Sequence, residues 1–159
     1  MAILAVNKKA NFDYQILAKY EAGLELLGHE VKSIKTGHVS LKGAFVVLKQ
    51  PQKQGRLPEL FLINAHIPLY QHAGSIKNYD PYRSRKLLLK KSEIKHLVGK
   101  KQEQGLTLVP IKLYTKRSLI KLEFGLGKGK KKYDKREDIK RKDVERKMRT
   151  LTKNKLKKL

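Results

Sequence analysis

After Tyr133 the chain runs to residue 159 with only six apolar side chains: Ile139, Val144, Met148, Leu151, Leu156 and Leu159. At 100° per residue Val144, Met148 and Leu151 fall within about 60° of one another, while Ile139 points nearly opposite. A stripe this thin cannot offset the entropy of ordering the segment. Any core must therefore be built by the residues before it. Cutting the chain after Gly127 leaves a body of net charge +13 and a tail of net charge +11 in the last 32 residues. Residues 128–159 read as a basic tail that is disordered alone and becomes helical against a partner, and residues 1–127 as one folded domain.

The body reads as mostly strand. Asn11 predicts a capped short helix over Phe12–Ala18, with Phe12, Ile16 and Leu17 at helical spacing. Leu24, Leu26, Val31, Ser33 and Ile34 predict one or two strands, with Gly28 as a bend. Phe45–Leu48 is a β-branched run, and Leu60–Ile63 returns after a loop over 50–59 that holds two prolines and a glycine. Ser92 predicts the cap of a helix with Ile94, Leu97 and Val98 inward, ending near Gly105. Leu106, Leu108, Ile111 and Leu113 predict a strand interrupted or bulged at Pro110. The turn Thr115–Ser118 then leads to a last strand in which Ile120, Leu122 and Phe124 alternate with Lys121 and Glu123. Such an order suits a small closed antiparallel β-barrel.

A formal charge of +24 implies a polyanionic partner. The absence of cysteine excludes disulfides, thiolate zinc sites and a cysteine nucleophile. No apolar run approaches the roughly 20 residues of a membrane span, and Met1–Val6 lacks the basic start of a signal peptide. His66 and His72 lack a third metal ligand at useful spacing, so no metal site is expected. Glu21, Glu25 and Glu30 would have to converge to support metal-assisted cleavage, and no catalysis is expected. Gly125-Leu-Gly-Lys-Gly-Lys-Lys131 lacks the spacing of a nucleotide-binding loop; its glycines are read as letting backbone approach a phosphate chain, or as a hinge. Arg83 and Arg85 alternate in an extended segment and could both fork onto phosphates, beside Tyr79 and Tyr82 for base stacking. Lys32, Lys35, Lys112 and Lys121 add charge on strand faces. No helix has the look of a groove reader, which favours RNA over DNA. A ribosomal or ribosome-assembly protein and an RNA-processing enzyme using Glu21 and Glu25 stay open on chemistry alone.

Several strings then occur in order: Asn7-Lys-Lys9, Tyr20-Glu-Ala-Gly-Leu24, Glu30-Val-Lys-Ser33, Asn64-Ala-His-Ile-Pro68, Asp80-Pro81, Arg83-Ser-Arg-Lys-Leu-Leu-Leu89, Gly127-Lys-Gly-Lys-Lys131, Asp134-Lys-Arg136 and Asp138-Ile-Lys140. The set resembles the small protein B (SmpB) family, bacterial tmRNA-binding proteins of trans-translation, over about residues 3–145. The resemblance implies a mostly β fold, a barrel of oligonucleotide-binding type with two or three short helices. It implies a non-enzymatic, cofactor-free cytoplasmic adaptor, a monomer that holds the tRNA-like domain of tmRNA and enters stalled ribosomes, with elongation factor Tu in the delivery complex. Asn7, Glu21 and Leu88 match family positions tied to tmRNA binding, Leu88 as a buried support and Glu21 as a carboxylate that orients an Arg or Lys or accepts from a ribose or base edge, a salt bridge with no RNA role being the alternative. Lys8, Lys32, Lys35, Arg83, Arg85 and Lys86 complete the expected RNA surface. Gly129, Lys130, Lys131, Tyr133, Asp134, Lys135, Arg136, Ile139 and Lys140 match the segment that the family places at the decoding centre of the small subunit. Glu137 to about Thr152 would form a helix along the empty messenger channel. Tyr133 stands where many relatives have His, Val144 near a usual aromatic, and the 50–59 loop, longer than the family hairpin, is given no function.

Overall fold

The computed structural model describes residues 2–51, 55–74, 76–101 and 105–156. Part of the 50–59 loop and the connection after Lys101 lie outside the described residues. The chain divides into two compact units, 1–129 and 130–159.

In the first unit, strands β1 (Ala2–Val6), β2 (Tyr14–Leu24), β3 (Phe45–Lys49), β4 (Glu59–Ile63), β5 (Arg85–Leu88), β6 (Leu106–Lys116) and β7 (Leu119–Gly129) form one antiparallel sheet. The pairing runs β6-β3-β4-β5-β2-β7 and returns to β6, closing six strands into a ring; β1 pairs with the far half of β6. Closure removes sheet edges and leaves an interior that side chains fill. Val46, Leu60, Leu62, Leu87, Leu108, Leu113, Leu122, Phe124 and Leu126 are buried there, the inward half of each strand's period-2 alternation. Leu97 of α3 (Lys91–Lys101) and Ile34 of α2 (Gly28–Lys35) join the same core. Arg117 and Ser118, with φ of 49° and 64°, make the two-residue hairpin between β6 and β7.

Bulges at Pro110 in β6 and after Ile16 in β2 turn Val109, Ile111 and Ile16 out of the barrel into a satellite cluster with Ala10 of α1 (Ala10–Asp13) and Tyr14. Gly125 and Gly127 of β7 make room for it. A Cβ on Gly125 would lie 2.8 Å from Ile16 Cγ2, and one on Gly127 would lie 3.1 Å from the Gln15 carbonyl oxygen. These two glycines seat Ile16 on the barrel; Gly129, the third of the run, ends β7 where the first unit ends.

Strands β3, β4, β6 and β7 lie where the patterning puts them, the irregularity at Pro110 being a bulge within one continuous strand; β5 is not among the strands expected. Two elements before them do not. The helix expected over Phe12–Ala18 is instead the single turn α1 followed by the long strand β2. The strands expected from Val31 to Ile34 are helix α2, which places Lys32 and Lys35 on a helix. Glu30 starts α2 by accepting the Leu27 N–H at 2.8 Å, one half of a capping box. In α3 Glu93 takes the same role for the Lys90 N–H, at 3.0 Å, so Ser92 is not the cap.

The second unit is one helix, α4 (Lys132–Leu156). Asp134 accepts the Lys131 N–H at 3.1 Å, and Asp138 pairs with Lys130 at 2.7 Å and Arg141 at 2.8 Å. Tyr133, Ile139, Val144, Met148 and Leu151 are exposed.

Candidate nucleic-acid interface

A single buried carboxylate organises the segment before β5. Glu30, fully buried, receives Arg85 Nε at 2.9 Å and Arg83 Nε at 2.8 Å on Oε1, and a second Arg83 contact on Oε2. Arg85 is also fully buried, and spends its remaining N–H groups on the carbonyls of Ala65 (2.7 Å), Pro81 (2.9 Å) and Arg83 (3.0 Å) and on the Tyr79 hydroxyl. Tyr79 donates to the Ile67 carbonyl at 2.7 Å. Burial pushes the Glu30 carboxyl up, but the Arg83 and Leu27 hydrogen bonds and both guanidinium charges outweigh it and hold it below the ordinary value. The same Glu30 contact raises Arg83. Alternation does put Arg83 and Arg85 on one side, but that side faces inward. Arg85 therefore has no phosphate-facing role; it is a bolt joining α2, the 65–67 segment and β5, and only Arg83 keeps partial exposure. Tyr79 is likewise committed, whereas Tyr82 stays 51 % exposed with its ring tilted against that of His66, centroids 4.9 Å apart.

The outer face of β2, β7 and β6 carries the main charged array. Glu21 and Glu123 sit opposite each other across β2 and β7. Lys116 lies 3.3 Å from Glu21, Lys112 3.0 Å and Lys19 3.7 Å from Glu123. Lys121 and the Tyr114 hydroxyl make tighter contacts to Glu21. The Lys121 hydrogen bond first, then Tyr114 and Lys116, lower the Glu21 pKa to about 2, so it is a carboxylate at any working pH. Burial, then Glu21, pushes the Tyr114 phenol up. Four lysines thus gather around two carboxylates, Lys19 and Lys116 half exposed or more and Lys112 and Lys121 about a quarter exposed. Sequence reasoning picked Glu21, Lys112 and Lys121 and missed Lys19, Lys116, Glu123 and Tyr114; the in/out alternation from Lys112 to Glu123 carried the missing signal.

The other expected residues scatter. Asn7 builds the turn after β1: its side chain donates to the Pro110 carbonyl at 2.9 Å and its N–H to the Ile111 carbonyl at 2.7 Å. With Lys8 it lines a cleft of about 750 Å³ that also meets Lys42 and the exposed ring of Phe45. Lys86 is paired with Glu59. Leu88, expected as a buried support, is 53 % exposed beside Gly23 of β2; Leu87 is the buried member of that run. Gly129 ends β7, and Lys130, Lys131, Tyr133, Asp134, Lys135, Arg136, Ile139 and Lys140 lie at or within the start of α4. Among the described residues no group of three His, Asp or Glu side chains could hold a metal, and no helix is long and apolar enough to cross a membrane.

The family model described as SmpB protein matches residues 4–154. The SsrA-binding protein of Thermosipho melanesiensis is 50 % identical over 150 residues, covering 94 % of this chain and 97 % of its own. That of Geobacillus thermodenitrificans is 51 % identical over 144 residues, covering 91 % and 88 %. A solved chain described as "tmRNA-SmpB: a journey to the center of the bacterial ribosome" superposes with a TM-score of 0.60 at 44 % identity, covering 80 % of this chain and 84 % of that one.

Proposed function

Because the chain belongs to the SmpB family, we propose that it is a non-enzymatic adaptor that binds the tRNA-like domain of tmRNA and brings it to stalled bacterial ribosomes. The observation that carries the reading is the lysine array around Glu21 and Glu123 on a rigid closed barrel. Lysines positioned by ion pairs with these carboxylates give a folded RNA backbone an excess of cations on a rigid face. Arg83, Tyr82, Lys8 and the exposed Leu88 offer further contacts elsewhere on the barrel; Arg85, Glu30 and Asn7 hold its loops. Lys32 and Lys35 are placed to add charge from α2.

The unit beyond Gly129 then serves the ribosome. It carries a large cationic excess and buries no apolar side chain of its own among the described residues. In this reading residues 130–140 meet the decoding centre of the small subunit. The helix follows the vacant messenger channel, its ordering cost offset by contacts to ribosomal phosphates. An intact messenger would occupy that path, which gives the selectivity for stalled ribosomes. The complex reaches the ribosome as a monomer with elongation factor Tu.

Deleting residues 133–159 tests the division of labour. The truncated chain retains affinity for the tRNA-like domain and loses tagging of stalled nascent chains in a reconstituted translation system. Tagging that survived the deletion would overturn the tail's role. Loss of RNA affinity would overturn the barrel's. Binding by the barrel should also weaken steeply with salt, as counterion release requires.

A further inference from the structure

Where the end of α2 meets the segment after Ile67, a cavity of about 240 Å³ is lined by Ser33, Thr36 and His38 on one side and Tyr70 and His72 on the other. None of these residues belongs to the lysine array or to the Glu30 knot. Tyr70 and His72 meet edge to face, ring centroids 5.3 Å apart, and the Lys32 ammonium stands 5.9 Å from the Tyr70 ring centre. The polar side is organised. The Thr36 hydroxyl sits 2.9 Å from the Ser33 carbonyl and 3.1 Å from that of Lys32, so its one proton is committed there. Its 2.9 Å contact with His38 Nδ1 then has the imidazole donating. In the neutral ring this fixes the proton on Nδ1 and leaves Nε2 as a lone-pair acceptor.

We infer that this cavity takes one unstacked nucleobase of the RNA the protein binds. A splayed base offers π faces for Tyr70 and His72 and an edge with exocyclic amino donors for His38 Nε2. Its flanking phosphates fall to Lys32 and to Lys35, the next basic residue along α2. A free inorganic anion fits worse, since the lining offers it rings and no cation other than Lys32, which stands over Tyr70. A metal lacks a third ligand among the described residues. The inference rests on the RNA-binding reading above and adds a base-sensitive contact to a surface otherwise made of backbone-directed cations. The base can come from the tRNA-like domain or from ribosomal RNA.

The test uses the full chain. Affinity of the wild type, Tyr70→Ala/His72→Ala and Tyr70→Phe is measured for a labelled tRNA-like domain by anisotropy and for isolated small ribosomal subunits by sedimentation. Base–aromatic stacking predicts a loss of roughly 5- to 150-fold for the double variant, with Tyr70→Phe retaining affinity because its ring remains. Should the double variant fail to fold by circular dichroism, His72→Ala alone, altering an exposed side chain, replaces it. A loss toward the tRNA-like domain, with the His38 and His72 Hε1 proton resonances shifting in the complex, supports a tmRNA base. A loss confined to the subunits supports a ribosomal base. Affinities within about twofold for both RNAs overturn the pocket and leave the RNA-binding function standing, whereas a wild type that binds neither RNA overturns that function and the inference with it.

Discussion

Replacing Glu30 with Gln removes one charge and almost no volume from the interior, and the geometry around it dictates the consequences. Glu30 and Arg85 are both fully buried, while Arg83 keeps 29 % side-chain exposure. The amide retains one oxygen, which can still accept from Arg85 Nε. Its NH2 group must replace the oxygen that accepts from Leu27 N–H and Arg83 Nη2, so donors face donors. Arg85 keeps its three backbone carbonyls but loses the negative charge that offsets its own. Leaving one member of a buried pair uncompensated costs about 3–5 kcal/mol, a large share of the roughly 5–15 kcal/mol that holds a typical domain folded. With a urea slope near 2 kcal/mol per molar, the unfolding midpoint drops by roughly 1.5–2.5 M. The assay is urea unfolding of the full chain followed by far-ultraviolet circular dichroism. A companion cycle in the Arg85→Met background should show Glu30→Gln costing at least about 1.5 kcal/mol less than in the wild type. A single-variant loss below about 1 kcal/mol, or no coupling in the cycle, would refute the assignment of Glu30 as the charge that keeps Arg85 inside. Because the Glu30 pKa is depressed on folding, its contribution is complete above the ordinary carboxylate value near 4.5 and is lost as pH falls through the lower folded value.

Three further outcomes are expected. Gly125→Ala drives a Cβ to 2.8 Å from Ile16 Cγ2 and 3.1 Å from Ile111 Cδ1 and should cost about 1–3 kcal/mol by overpacking, whereas Gly129→Ala, which meets nothing within 4 Å, should stay within about 0.5 kcal/mol; thermal melts of both variants check the contrast. The Glu21 carboxyl should titrate at about 2 by carbon-13 chemical shift and move upward in Lys121→Met, so its stabilising contribution is full above about pH 4.5 and disappears only as pH falls through about 2; an unmoved titration in Lys121→Met would remove Lys121 as the main cause. A peptide of residues 130–159 should be largely unfolded in dilute buffer by circular dichroism and gain helix on adding RNA, since its thin apolar stripe and ion pairs cannot sustain a helix alone; strong helicity without a polyanion would contradict coupling of folding to binding.

The fold was legible in the sequence wherever a segment's own side chains determined its state. From Phe45 onward, period-2 alternation and turn residues identify β3, β4, β6 and β7, because each inward residue is a large apolar one, and Pro110 marks the irregularity in β6 without saying whether it breaks the strand. The early chain misleads because its determinants are distant. Phe12, Ile16 and Leu17 have helical spacing, yet Ile16 belongs to a strand because Gly125 and Gly127, more than a hundred residues on, leave the space it fills. Val31 and Ile34 look like strand residues until Glu30 is seen capping the Leu27 N–H.

The site was half legible for a related reason. Charge sign and alternation can be counted in a sequence, so the outward lysines of β6 and β7 were within reach. What a sequence does not state is which cation a scarce carboxylate will claim. With 38 basic and 14 acidic side chains, most cations in this chain face solvent, which makes the default reading of Arg85 an exposed one. A guanidinium enters a core only where a carboxylate and enough carbonyls meet it; here Glu30, Ala65, Pro81 and Arg83 converge from α2, the 65–67 segment and the loop before β5. The two kinds of carboxylate therefore divide the chain's cations by function. Glu30 withdraws Arg85 wholly and Arg83 in part to fix a loop, while Glu21 and Glu123, at the surface, position Lys19, Lys112, Lys116 and Lys121 on one face and leave each of them partly exposed. The RNA affinity of this barrel should accordingly depend on the second group and on the exposed part of Arg83 directly, and on Glu30 and Arg85 only through the integrity of the fold.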